Sequence, residues 1–261
     1  MTTQPEPEQL DPSASDHKIA HDLATEAGNL LLKIRRDMST SGAQAQELRA
    51  AGDTAAHEYL MEALQRLRPD DAILSEEGKD DKARLKAERT WIVDPLDGTR
   101  EFSEPPREDW AVHVALVVDG QPIAGAVALP AQGTTLSTLN PPPAPEIVDA
   151  PLRFVASRTR PGPSADLLTE KLGAEMLPMG SAGAKTMAVV SGVADIYAHT
   201  GGQYEWDSCA PVAVARAAGL HASRIDGAEL IYNNDDVYLP DLLVCRRDLA
   251  QQVLAALDGA G

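Results

Sequence analysis

The chain has 261 residues, 43% of them hydrophobic, and a formal net charge of -17. That is enough apolar material for a sizeable core in one large or two smaller domains, while the acidity disfavours a nucleic-acid polymer or an anionic membrane as partner. Two cysteines, Cys209 and Cys245, make no disulfide framework, and no apolar run approaches a membrane span. A reduced, cytoplasmic protein is therefore expected. Residues 1–15 lack the basic start and apolar core of a secretory leader and read as a polar, disordered tail.

Asp16 to Met38 reads as an amphipathic helix, with Ile19, Leu23, Ala27, Leu30, Leu31 and Ile34 at helical spacing. Residues 39–52 are small and polar and are expected to form a loop. Thr54 to Leu67 reads as a second helix, with Asp53 as a candidate cap at its start. Ala72-Ile73-Leu74 is a short strand that runs into the acidic pair Glu76-Glu77. Taken alone, that pair is a charged strand end.

Trp91-Ile92-Val93 opens a buried strand that is expected to stop at Asp94-Pro95, because proline has no N–H for a sheet ladder. Asp97-Gly98-Thr99 then reads as a tight turn into a short helix. Two carboxylates thus sit three residues apart at a strand end, with the backbone N–H groups of Gly98, Thr99 and Arg100 facing the same space. This suits phosphate chemistry on magnesium. The ion takes carboxylate oxygens, and a helix start offers N–H donors to phosphate. A plain surface turn explains neither the second aspartate at this spacing nor the threonine after glycine.

Ser103–Asp109, rich in proline, arginine and acid, reads as a mobile flap at the site mouth. Trp110 to Val118, Ile123 to Leu129 and Thr134 to Leu139 read as antiparallel strands, the first two joined at Asp119-Gly120. Pro141–Pro145 is a linker, giving an expected boundary near residue 150 between an α+β part (16–150) and an α/β part (151–261). In the second part, strands are expected at Leu152–Ala156, Met176–Met179 and Asp195–Ala198. Helices are expected at Ser164–Leu172, from Gly180 to about Val190, and from about Tyr204 to Ala218. The six histidines form no ligand pattern and read as surface or core residues.

Asp94-Pro95-Leu96-Asp97-Gly98-Thr99 resembles the metal-binding motif of the Mg²⁺-dependent, lithium-sensitive phosphatase superfamily, the inositol monophosphatase-like enzymes. Haloacid-dehalogenase phosphatases instead have one residue between their aspartates, where this chain has Pro95 and Leu96. Trp206-Asp207 followed by Ala210-Pro211 is similar to the superfamily's second motif. The resemblance runs from about residue 16 to near the end of the chain. It implies a layered αβαβα sandwich of α/β class, and dimers are common among such proteins.

The resemblance also implies roles. Glu76, Asp94, the Leu96 carbonyl, Asp97 and Asp207 would hold two or three Mg²⁺ ions. Thr99 with Glu76 would orient the attacking water. Gly98, Thr99 and Arg100 would hold phosphate oxygens through their backbone N–H groups. Asp53 aligns with a residue near the metals, although the run that usually precedes it is absent, and the cap reading stays open beside it. Arg100-Glu101-Phe102 resembles the branch that acts on 3′-phosphoadenosine 5′-phosphate, and Ser181 and Lys185 lie in a run similar to that branch's nucleotide contact. A solvated helix lysine is the plain alternative for Lys185. The expected activity is hydrolysis of a small phosphate monoester, the 3′-phosphate of that nucleotide, with inositol or sugar phosphates as the alternative substrates. A catalytically dead binding protein on the same fold is the competing class.

Overall fold

The computed structural model describes residues 10–147 and 150–259. Helices α1 (Asp16–Thr40) and α2 (Ala45–Leu67) pack together and cover one face of a five-stranded sheet. That sheet runs in the order β1 (Ala72–Ser75), β2 (Arg89–Asp97), β3 (Ala111–Val118), β4 (Gln121–Leu129), β5 (Thr134–Ser137). Only the β1–β2 pair is parallel; the others are antiparallel. Between β2 and β3 lies the short helix α3 (Thr99–Phe102).

The second sheet has the order β10 (His221–Ser223), β12 (Leu242–Cys245), β8 (Ile196–His199), β6 (Arg153–Ser157), β7 (Glu175–Met179). Helices α5 (Ala182–Val190) and α6 (Glu205–Ala217) lie between the two sheets, while α4 (Pro163–Leu172) and α7 (Ala250–Leu257) close the far side. A two-stranded ladder of β9 (Gln203–Tyr204) and β11 (Tyr238–Leu239) stands apart from both sheets.

Three apolar clusters fill the spaces between layers. One lies between α1, α2 and the first sheet, around Leu23, Leu60, Trp91 and Val114. A second joins the sheets through α5 and α6, around Ile92, Ala115, Val189, Val212 and Val244. The third sits under α4 and α7, around Phe154, Leu168 and Val253. The order is the expected αβαβα sandwich. The middle cluster draws on both halves of the chain, so the expected boundary near 150 crosses a shared core.

Several expectations differ in detail. Residues 1–9 of the expected tail lie outside the described residues. Leu10 packs on the first cluster and the Ser15 side chain accepts from the Lys18 N–H to cap α1, so residues 10–15 are ordered. The loop expected over 39–52 is mostly helix. Glu47 accepts the Gln44 N–H at 2.9 Å and so starts α2 nine residues early. Asp53 is therefore inside α2 and caps nothing. Gly52 beside it is the position where α2 meets the site, since a Cβ there would lie 2.8 Å from the Phe102 ring.

β2 continues past Pro95 to Asp97. Asp94 opposes His113 and Asp97 opposes Ala111, so three steps on β2 match two on β3. Pro95 sits within that bulge, where the missing N–H costs no ladder bond. The flap expected at 103–109 is tied at both ends. Arg158 bonds Glu101 and Glu104 at 2.8 Å, and Asp109 accepts from Arg107 and, at 2.6 Å, from the Gly180 N–H. The strands and helix after residue 218 had no counterpart in the sequence reading.

Candidate active site

The bulge in β2 turns Asp94 and Asp97 toward one point, and the first turn of α6 brings Asp207 to it. One carboxylate oxygen from each of the three lies within 4.8 Å of the others. The Leu96 N–H donates to Asp94 Oδ1 at 3.0 Å, and the Tyr204 N–H donates to Asp207 Oδ2 at 2.7 Å. Gly98 follows at φ 83°, a left-handed value that suits glycine, and its Cβ would stand 3.0 Å from Ser181.

Asp97 is the best-supplied carboxylate. It accepts from Ser181 Oγ at 2.5 Å, from the Gly183 N–H at 2.6 Å and from the Ala182 N–H at 3.1 Å, all at the start of α5. His113 Nε2 stands 3.2 Å from it. Burial pushes Asp97 up, but the imidazole, the Ser181 hydroxyl and the Lys185 charge overcome this and hold it at about 2. Its neighbours go the other way. Burial, then the charges of Glu76, Asp97 and Asp207, push Asp94 well above the ordinary carboxylate range. Burial and then Asp97 push Asp207 up to about 6.

Glu76 is exposed as a residue and lies outside the tight three-carboxylate group. Its carboxyl end nevertheless turns in against Asp94, and the loss of water at that end, then Asp207, Asp97 and Glu77, push it up to about 7. Carboxylates crowded this closely are held against their own repulsion. Hard oxygen donors converging on one point fit a divalent cation such as Mg²⁺, which would remove that repulsion.

Thr99 Oγ1 lies 3.0 Å from the Leu96 carbonyl and 3.5 Å from Asp53 Oδ1. The structure thus pairs Thr99 with Asp53, where the sequence reading paired it with Glu76. Burial and the Glu77 charge push Asp53 up to about 6, against the Thr99 hydroxyl and Arg49. The N–H groups of Gly98, Thr99 and Arg100 make no hydrogen bond to the described residues. The Arg100 side chain points away to Glu104 at 3.0 Å.

Ser181 is turned toward Asp97 and also caps α5, accepting the Ala184 N–H at 2.9 Å. Lys185 is buried, contrary to the solvated-helix alternative. Its Nζ donates to the Gly180 carbonyl at 3.3 Å and lies 5.3 Å from the Tyr197 ring centre. Burial lowers its pKa, while Asp97, Glu101, Asp207 and Asp109 pull it back up.

Sequence reasoning missed His113 and Asp109. His113 is fully buried and shares its Nδ1 with the Trp206 carbonyl at 3.0 Å, so it links β3, Asp97 and the turn before Asp207. The signal was present: a lone imidazole in the apolar run Ala111–Val118 needs a polar partner when buried. Asp109 binds the backbone before α5 across the sheets, a contact no local pattern carries.

A model of the inositol monophosphatase family matches residues 14–260. The chain is 49% identical over 243 residues to a protein of Mycobacterium bovis named 3'-phosphoadenosine 5'-phosphate phosphatase, covering 90% of each chain. It is 33% identical over 200 residues to the Escherichia coli protein named 3'(2'),5'-bisphosphate nucleotidase CysQ, covering 72% of this chain and 81% of that one. Among solved structures, CysQ from Bacteroides thetaiotaomicron aligns with a TM-score of 0.75 at 27% identity, over 89% of this chain and 97% of that one. SuhB of Mycobacterium tuberculosis shares the fold, with a TM-score of 0.72 at 24% identity over 94% and 96% of the two chains.

Proposed function

Since the chain belongs to the inositol monophosphatase family, we propose that it is a Mg²⁺-dependent phosphomonoesterase that removes the 3′-phosphate of 3′-phosphoadenosine 5′-phosphate, giving AMP and phosphate. The observation that carries the reaction class is the convergence of Asp94, Asp97 and Asp207 beside the Thr99–Asp53 pair. The relatives named for this nucleotide support the substrate.

Glu76, Asp94, the Leu96 carbonyl, Asp97 and Asp207 are the residues that would hold two or three Mg²⁺ ions. Bound there, the metal supplies an activated water and neutralises charge on the leaving oxygen. The chain's own residues do the rest. Thr99, oriented by Asp53, accepts and aligns the water. The N–H groups of Gly98, Thr99 and Arg100 receive phosphate oxygens at the start of α3. His113, Ser181 and the charge of Lys185 hold Asp97 ionised, so it stays an oxygen donor through the pH range of the reaction. Lys185 adds a fixed positive charge on an acidic protein. The substrate's second phosphate, carrying roughly -1.5 to -2 near neutral pH, needs one beyond the metals.

Cys209 and Cys245 are buried free thiols, which supports a reducing, cytoplasmic setting. Among the described residues no helix is long and apolar enough to cross a membrane. Initial rates with 3′-phosphoadenosine 5′-phosphate, inositol 1-phosphate and fructose 1,6-bisphosphate at matched concentrations test the substrate. The nucleotide should be turned over fastest and only with Mg²⁺. Faster turnover of inositol 1-phosphate would hand the site to the alternative reading, and no turnover of any of the three would leave the binding-protein class.

A further inference from the structure

We infer that Tyr204, with Trp206 and Tyr238 behind it, forms a stacking platform for the purine base of the substrate. The inference rests on the nucleotide reading above and assigns the base to particular residues. Only 4% of the chain is aromatic, yet three aromatic rings meet here. Tyr204 stacks on Trp206 with ring centres 4.9 Å apart and planes 17° apart. Tyr238 meets the same ring edge-on, at 6.2 Å and 78°. These are favourable aromatic geometries, and they hold Tyr204 in one orientation. One of its faces is taken by Trp206. The residue is still 48% exposed, as is Tyr238, which leaves an open π-surface.

The platform is fastened to the reacting site. The Tyr204 N–H bonds the Asp207 carboxylate at 2.7 Å. The Trp206 carbonyl is held at 3.0 Å by His113, whose other nitrogen faces Asp97. The ring is thereby anchored on the same turn of chain as Asp207, one of the carboxylates that would hold the phosphate ester. The backbone is shaped to the same end. Tyr204 and Tyr238 are direct partners in the two-stranded β9–β11 ladder, which places both rings on one face. Gly202, at φ 77°, lets Tyr238 lie across the turn, since a Cβ there would stand 2.0 Å from the Tyr238 hydroxyl.

The occupant is argued from the chemistry of the ester. An inositol or sugar phosphate offers only C–H edges to a tyrosine face. A base offers a flat π-face, and base–aromatic stacking is worth about 1–3 kcal/mol per base by alanine substitution.

The test combines kinetics with binding. Tyr204→Ala should raise KM for 3′-phosphoadenosine 5′-phosphate by roughly 5- to 150-fold, the range that 1–3 kcal/mol of stacking gives, with a smaller change in kcat. Tyr204→Phe keeps the ring and should stay within about two-fold of wild type. AMP titrated into the Mg²⁺-loaded protein should quench tryptophan emission, because Trp91 and Trp110 are fully buried and Trp206 is not. Ribose 5-phosphate should not quench it, and Tyr204→Ala should lose the AMP signal. An unchanged KM in Tyr204→Ala, or Phe failing as badly as Ala, overturns the platform and leaves the phosphatase reading standing. If wild type does not hydrolyse the nucleotide but AMP still quenches through Tyr204, the reading falls and the platform stands.

Discussion

Replacing Asp94 by asparagine should abolish activity and at the same time stabilise the metal-free fold. Asp94 is buried, and its neighbours' oxygens lie within 4.8 Å. At an effective dielectric of about 20, two unit charges 4.8 Å apart repel by roughly 3.5 kcal/mol. Asp94 faces two such partners as well as Glu76. Proton uptake relieves part of that repulsion, so the net gain expected on neutralising Asp94 is about 2–4 kcal/mol at pH 8. For a chain of this size, that is a rise in Tm of roughly 4–7 °C. The sign with pH follows from the direction of the shifts. Asp94, Asp207 and Glu76 are all raised, so the folded state binds more protons than the unfolded one, and wild-type stability falls as pH rises. The fall begins near the ordinary carboxylate values and continues through about 6 for Asp207 and about 7 for Glu76. The advantage of Asp94→Asn should therefore shrink to below about 1 kcal/mol at pH 4.5. Thermal melts in EDTA at pH 8 and pH 4.5 measure this directly. Adding Mg²⁺ at pH 8 should reverse the order, since only wild type gains binding energy. An apo variant that melts at or below wild type at pH 8 refutes the crowded-carboxylate reasoning.

The other predictions concern the same site. LiCl should inhibit turnover where equal NaCl does not; equal effects would remove lithium sensitivity from the reading and leave the fold untouched. Asp53→Asn should lower kcat by roughly 10²-fold, the low end of what a proton-accepting group supplies, with KM little changed, because Asp53 acts through the Thr99 hydroxyl. A loss no larger than two-fold would show that Thr99 needs only the Leu96 carbonyl. Lys185→Ala should reduce kcat/KM for 3′-phosphoadenosine 5′-phosphate more than for inositol 1-phosphate, and equal losses on the two would make Lys185 a partner of the carboxylates rather than of the second phosphate.

The parts of the site legible in the sequence were those carried by short-range pattern. Asp94, Asp97 and Thr99 lie within six residues of one another, and Asp207 sits in a helix-start signature of its own. Their meeting required the fold, which the alternation of strands and helices was enough to suggest. What escaped was of two kinds. The start of α2 was missed because small polar residues at 39–52 look like a loop, while the Gln44–Glu47 cap and the alanines that follow favour a helix. That shift removes the cap reading of Asp53 and leaves it as a group facing Thr99. His113 and Asp109 escaped because their partners, Trp206, Asp97 and Gly180, are far away in sequence. Long-range polar pairs leave only a negative trace, a polar residue where an apolar one is expected.

The placement of Asp207 shows how the chain holds a site shared between distant segments. Asp94 and Asp97 belong to the first sheet, and Asp207 to a helix between the sheets. Packing of α6 on β2, β3 and β4 fixes its height, but an apolar contact alone does not fix rotation. Polar contacts do. Glu205, fully buried two residues before Asp207, accepts the N–H groups of Asn233 and Asn234 at 2.6 and 2.8 Å. Arg84, itself buried and paired with Asp80 at 2.7 Å, donates to the Asn233 side chain and to the Asn234 carbonyl. Arg84 lies in the segment between Glu76 and β2. The start of α6 is thereby tied, through one loop, to the strand segment that carries the other carboxylates. These directional bonds sit away from the reacting centre, so the repulsion among the carboxylates is opposed by contacts that stay satisfied whether or not a cation is bound.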